Sequence, residues 1–64
     1  MYEKFLKLLE EHGLTPYKVS IDTGIPQSTF TDWKNGRSEP GARKLYILAK
    51  YFGVAMEYFM EGTE

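Results

Sequence analysis

The sequence predicts a compact all-α domain of five short helices. Apolar residues recur at helical spacing along the chain, and glycine or proline interrupts each run after two or three turns. The segments between these runs are only a few residues long, as in small helical domains. The 64 residues are expected to make one domain, 1–64, with one small core. Because the chain has no cysteine, helix packing rather than disulfides must stabilise this core.

Residues 2–12 are predicted to form the first helix, which is amphipathic and ends at Gly13. Its helically spaced inner positions are Phe5, Leu8, Leu9 and His12. His12 is the only histidine, and there is no cysteine to bind a metal beside it. We therefore predict no metal site and no cofactor, and we interpret His12 as a last-turn residue that stabilises the helix dipole.

The second helix is predicted at about 16–23. Thr15 can cap it with its hydroxyl, and Pro16 suits the first helical position, where no backbone N–H is needed. Val19 is expected to face the core, and Gly24 can adopt the left-handed conformation that ends the helix. The outward positions are Lys18, Ile21 and Asp22.

The third helix is predicted at about 26–35, from Pro26 to the Asn35-Gly36 pair, and it buries Phe30 and Trp33. Its outer face carries polar side chains with donors and acceptors suited to base edges, or else is an ordinary solvated face: Gln27, Ser28, Thr31, Asp32 and Lys34. Two short helices joined by a turn that contains glycine form the arrangement that places the second helix in the major groove of DNA.

Two further helices are predicted after Pro40 and Gly41. The fourth, at about 42–52, has its inward positions at Ala42, Leu45, Leu48, Ala49 and Phe52. The fifth, at about 56–61, turns Met56 and Phe59 inward, and Gly62 is expected to end the fold.

The charge of the chain is unevenly distributed. The formal net charge is −1, which alone argues weakly against nucleic acid. Residues 34–50, however, hold five basic side chains against Glu39 alone, a local charge of +4, whereas residues 1–33 carry −2 and residues 51–64 carry −3. The basic segment is typical of a surface that faces phosphates, and the alternative is a solvated face with scattered lysines.

The sequence offers no catalytic constellation and no targeting segment. It has no cysteine nucleophile and no glycine-rich phosphate loop, and a Ser-His-Asp triad would depend on His12 alone. We therefore predict that the chain is not an enzyme. Its N-terminus mixes acidic with apolar residues, and no apolar run approaches the roughly 20 residues that span a bilayer. A cytoplasmic protein without a membrane partner is expected.

Two motifs at this spacing are specific, Gly24-Ile25-Pro26-Gln27-Ser28-Thr29 and Trp33-Lys34-Asn35-Gly36-Arg37. With them, nearly the whole chain resembles the lambda-repressor/Cro-like helix-turn-helix family of phage and bacterial regulators. The resemblance implies that the chain binds double-stranded DNA as a transcriptional regulator, usually as a homodimer on a palindromic operator. The helix at about 26–35 would then be the recognition helix.

The resemblance also implies roles for individual residues. The base-reading positions would be Gln27, Ser28, Thr31 and Asp32. Contacts to the DNA backbone would come from the start of the second helix and from the basic segment, that is, from Thr15, Lys18, Lys34, Asn35, Arg37 and Arg43.

Several positions expected to face outward carry apolar side chains where relatives usually have polar ones. The candidates are Ile21, Tyr46, Ile47 and Met60. Together with Arg43 and Lys50 they predict a contact patch, because tyrosine and arginine are frequent anchors of protein interfaces. The patch could be a natural dimer surface, or the chain could be a redesigned or divergent scaffold that binds another protein or itself. Self-association or protein binding is therefore the alternative function.

Overall fold

The computed structural model describes residues 2–60, and the regular secondary structure of this part of the chain is entirely helical. Its helices are α1 (Tyr2–His12), α2 (Pro16–Thr23), α3 (Gln27–Lys34), α4 (Ala42–Phe52) and α5 (Glu57–Met60). The predicted all-α fold of five helices is confirmed. The third helix begins one residue later than predicted, because Pro26 is extended (φ −60°, ψ 145°) and precedes the helix instead of opening it. The predicted end of the fold at Gly62 lies outside the described residues.

The start and the end of α2 follow from two residues. The Oγ1 atom of Thr15 accepts a hydrogen bond from the backbone N–H of Lys18 at 3.2 Å, which satisfies one of the free amides of the first turn. Gly24 adopts a left-handed conformation (φ +80°), and its N–H donates to the carbonyl oxygen of Ser20. Both predictions are confirmed, and they fix the length of α2.

Side-chain hydrogen bonds fix the turn between α2 and α3. The Ser20 hydroxyl donates to the carbonyl oxygen of Ile25 at 2.6 Å, and the Thr23 hydroxyl donates to the carbonyl oxygen of Val19 at 2.7 Å. The N–H of Ile25 in turn donates to the Thr23 oxygen at 3.3 Å. The Ile25 side chain is buried in the core. These contacts set the direction in which the chain enters α3.

An aromatic cluster lies beneath α3. Its centre is Phe5 of α1, whose ring stacks on Phe30 with the centroids 4.9 Å apart and lies 5.3 Å from Trp33. Phe52 of α4 meets Phe5 edge-on at 6.1 Å, and Tyr2 meets Trp33 edge-on at 5.4 Å. Because Phe30 and Trp33 are both held from below, the opposite face of α3 is presented to solvent.

Three core predictions are wrong. His12, the last residue of α1, is exposed, although its ring lies 5.2 Å from that of Phe52. Ala42 is exposed, because it is the first residue of α4 and precedes the turns that cover the core. Ile47 is half-buried and packs against the core instead of facing outward. It lies one turn before Tyr51, whose hydroxyl reaches Asp22 of α2, so this edge of α4 faces another helix. The other predicted inward positions of α4 are buried, namely Leu45, Leu48, Ala49 and Phe52.

Candidate nucleic-acid interface

The outer face of α3 is formed by polar side chains at helical spacing. Gln27, Thr31 and Lys34 are separated by four and three residues, so they lie along one side of the helix, and all three are exposed. Ser28 is exposed beside them, and Asp32 is half-buried. The structure therefore places all the predicted base-reading residues on the solvent-facing part of α3, with Asp32 at its margin.

A shallow groove of about 300 Å³ runs between the start of α2 and the outer face of α3. The polar side chains that line it are Tyr2, Thr15, Tyr17, Gln27, Thr31 and Lys34. Four of these residues were singled out in the sequence, and the fold brings them to one surface from two helices. The remaining predicted contacts do not line the groove: Lys18, Ser28, Asp32, Asn35, Arg37 and Arg43.

The two threonine hydroxyls of the groove differ in what they can offer a ligand. The oxygen of Thr15 accepts the amide hydrogen of Lys18, so its hydroxyl hydrogen is available to donate to an anion. The hydroxyl of Thr31 donates to the carbonyl oxygen of Gln27 at 3.3 Å. Thr31 therefore presents oxygen lone pairs and a methyl group, which suit an amino group or the methyl of thymine.

Lys18 does not line the groove and forms an ion pair within α2, with a carboxylate that α4 also contacts. Its Nζ atom lies 3.2 Å from Oδ1 of Asp22, and the hydroxyl of Tyr51 donates to Oδ2 of the same carboxylate at 2.5 Å. The hydrogen bond from Tyr51, followed by that from Lys18, lowers the pKa of Asp22. The same bond to Asp22 raises the pKa of Tyr51. The charge of Lys18 is thus partly compensated on the outer surface of α2.

The segment that follows α3 directs Arg37. Gly36 adopts a left-handed conformation (φ +74°), and the N–H of Arg37 donates to the carbonyl oxygen of Asp32 at 2.8 Å. The guanidinium lies 3.9 Å from the Asp32 carboxylate, and the Arg37 side chain remains 74% exposed. Such an exposed and long ion pair is weak, so Arg37 stays available to a stronger anion.

The predicted contact patch is only partly assembled by the fold. Tyr46 is 52% exposed on α4, and Nζ of Lys50 lies 5.7 Å from the centre of its ring. Arg43 precedes Tyr46 by three residues and is also exposed. Ile21 on α2 and Met60 on α5 are exposed as predicted. Ile47 does not belong to the patch, because its side chain packs inward.

Sequence reasoning missed two tyrosines of the groove. Tyr17 is 60% exposed, and Tyr2 projects from the first turn of α1 into the same groove. The signal for Tyr17 was its position directly after Pro16, on the outward side of the first turn of α2. The signal for Tyr2 was not local, because its place depends on how α1 packs against Trp33.

Within residues 2–60, no three histidine, aspartate or glutamate side chains come close enough to share a metal ion. In that same range every helix is too short or too polar to traverse a bilayer.

Comparison with known proteins places the chain in a family. No curated protein and no solved structure matches it. A family model described as a helix-turn-helix domain does match, and the match extends over residues 2–64. It therefore includes α2, the turn at Gly24 and α3, as well as the helices that pack around them. The chain belongs to the helix-turn-helix domain family.

Proposed function

We propose that this chain is a lambda-repressor/Cro-like transcriptional regulator that binds duplex DNA sequence-specifically, with α3 in the major groove. One observation carries the proposal. In a chain of the helix-turn-helix family, Thr15, which caps α2, lines one solvent-facing groove together with Gln27, Thr31 and Lys34 of α3. A hydroxyl, an amide and an ammonium group are the side-chain types that proteins use on phosphates and base edges.

The exposed side chains of α3 would contact different atoms of the base edges. The amide of Gln27 both donates and accepts, so it can bind the edge of adenine through two hydrogen bonds. Ser28 adds a hydroxyl that rotates to suit a donor or an acceptor. Thr31 supplies lone pairs and a methyl group, and Asp32 can accept from the amino group of cytosine.

Contacts to the sugar-phosphate backbone come from both ends of this surface. Thr15 has a free hydroxyl hydrogen at the start of α2, and Lys34 lies at the end of α3. Arg37, Asn35 and Arg43 extend the basic surface beyond α3, in the segment whose local charge is +4. Lys18 can join them only by leaving the carboxylate of Asp22.

A titration of labelled duplex DNA, followed by fluorescence anisotropy from about 50 to 200 mM salt, tests the proposal. The logarithm of the association constant is expected to fall linearly with the logarithm of the salt concentration. Lys34→Ala should weaken binding to every sequence and reduce the slope by about 0.9, the value for one lost phosphate contact. Gln27→Ala should instead change the preferred sequence.

Lys7→Ala is the matched control, because Lys7 is exposed on α1 and does not line the groove. This variant should keep the slope of the wild-type protein. Absence of DNA binding by the wild-type chain at the lowest salt concentration would refute the proposed function. Equal slopes for Lys34→Ala and Lys7→Ala would refute the assignment of the groove.

The exposed face of α4 supports a second function, association with another copy or another protein. Tyr46 is flanked by Arg43 and Lys50, one turn away on either side, and its ring is half uncovered. In sedimentation velocity, Tyr46→Ala should then convert an associating chain into a monomer and leave the buried core unchanged. A wild-type chain that sediments as a monomer at high concentration contradicts association with another copy.

A further inference from the structure

The groove between α2 and α3 contains two phenol groups for which the predicted DNA contacts leave no role. Tyr17 and Tyr2 both line the groove, together with Lys34. A tyrosine ring that is 60% exposed gains little from folding, so Tyr17 contributes little to the core. Its ring and hydroxyl are instead available to a ligand that has an apolar part and a polar part.

Tyr2 is held more firmly than Tyr17. Its ring lies edge-on to Trp33 with the centroids 5.4 Å apart and is tilted against Phe5 at 5.8 Å. The phenol of Tyr2 is protonated at neutral pH, as for an ordinary tyrosine, and can donate a hydrogen bond; burial raises its pKa further. A donor that is already positioned loses little conformational freedom when a ligand binds.

The charges around the groove favour an anion. Among its described lining residues Lys34 is a cation and none is a carboxylate. A neighbouring groove of about 290 Å³ shares Tyr2 and Lys34 but is also lined by Glu3 and Glu39. An anion that approaches Lys34 is therefore favoured on the side of Tyr17 and disfavoured on the side of the two glutamates.

We propose that Tyr17 and Tyr2 hold one phosphate of the DNA backbone beside Lys34, with the ring of Tyr17 against the adjoining deoxyribose. Phenol hydroxyls are common donors to DNA phosphates, and the flat ring supplies the apolar contact that a sugar requires. The occupant is the backbone strand next to the bases that Gln27 and Thr31 face. This inference rests on the proposed function, since it adds two contacts to the same interface.

Removing only the hydroxyl groups tests this proposal. Tyr17→Phe and Tyr2→Phe keep the rings, and each is expected to weaken binding to duplex DNA about three- to tenfold, the loss expected for a hydrogen bond to a charged group at a partly exposed site. The salt slope should not change, because a neutral donor displaces no counterion from DNA. Lys34→Ala should reduce that slope, so the two kinds of contact are separable in one titration series.

Tyr58→Phe is the matched control, because it removes the same atom from a tyrosine of α5 that lies outside the groove and has no role in either proposed function. It should bind DNA as the wild-type chain does. If Tyr17→Phe and Tyr2→Phe also retain wild-type affinity while Lys34→Ala weakens binding, the phosphate site is overturned and the proposed function stands. If the wild-type chain binds no DNA, both are overturned. Unchanged fluorescence of Trp33 in each variant verifies that the fold is retained.

Discussion

Replacing Phe5 by leucine tests whether the aromatic cluster beneath α3 holds the domain together. Phe5 is completely buried, and its ring contacts Phe30, Trp33 and Phe52. Truncation to alanine would cost about 3–5 kcal/mol, whereas a domain of this size has a total stability of about 3–10 kcal/mol. Leucine keeps most of the apolar volume, so the expected loss is about 2 kcal/mol, composed of imperfect packing and lost ring contacts.

Urea denaturation followed by tryptophan fluorescence measures this loss directly, because Trp33 is the only tryptophan and is itself part of the cluster. The corresponding fall in the melting temperature is about 8–16 °C. Leu6→Ala is the control at the neighbouring position, where the side chain is 45% exposed, and it should change stability by less than about 0.5 kcal/mol. If Phe5→Leu costs no more than this control, the cluster does not stabilise the fold as argued.

Three further predictions concern α2. Gly24→Ala should lower the free energy of unfolding, measured by thermal unfolding, by about 1–2 kcal/mol. This loss comes from the left-handed φ of +80° alone, since open space surrounds the position, and Gly24→Asn should lose less. Thr15→Ala should cost about 1 kcal/mol through the lost cap, and Thr15→Ser should restore most of it. The bond between Asp22 and Tyr51 should stabilise the fold between two pH limits. Because the pKa of Asp22 is lowered, the contribution of this bond should be lost as the pH falls below the ordinary aspartate pKa of 3.8. Because the pKa of Tyr51 is raised, the contribution should also be lost as the pH rises beyond the ordinary tyrosine pKa of 10.0. When the pH is lowered through the acid range, the melting temperature of Asp22→Asn should therefore fall less than that of the wild-type chain. An equal fall for both chains would contradict a stabilising role of this bond.

The helices could be predicted because their ends are encoded locally. Thr15 and Gly24 determine where α2 begins and ends through bonds to residues only three or four positions away. The inward faces of α3 and α4 also follow from spacing, since a period of 3.6 residues places Phe30 and Trp33 on one side. The exception at Ala42 arises at a helix end, where the same spacing does not guarantee that a neighbouring element covers the side chain.

The candidate site could be predicted only in part, because its geometry depends on contacts between distant segments. Lys18 stays a predicted contact to the DNA backbone, but its ion pair with Asp22 involves a carboxylate that also accepts from Tyr51, 29 residues away in the sequence. Ile47, one turn before Tyr51 on the same edge of α4, packs against the core. Tyr2 could not be placed beside Lys34 from the sequence, since no local pattern states which residue of α3 the start of α1 will meet.

The turn after α3 affects how mutations that weaken DNA binding would be interpreted. Arg37 projects where it does because Gly36 reverses the chain with a positive φ, although Gly36 has no side chain to offer a ligand. A larger residue at position 36 would meet no steric obstacle, but it would strain this reversal and redirect the arginine that follows. If the proposed DNA interface is correct, a genetic screen for lost operator occupancy would recover position 36 together with the residues that contact DNA. Comparing Gly36→Ala with Arg37→Ala would separate a misdirected contact from a missing one.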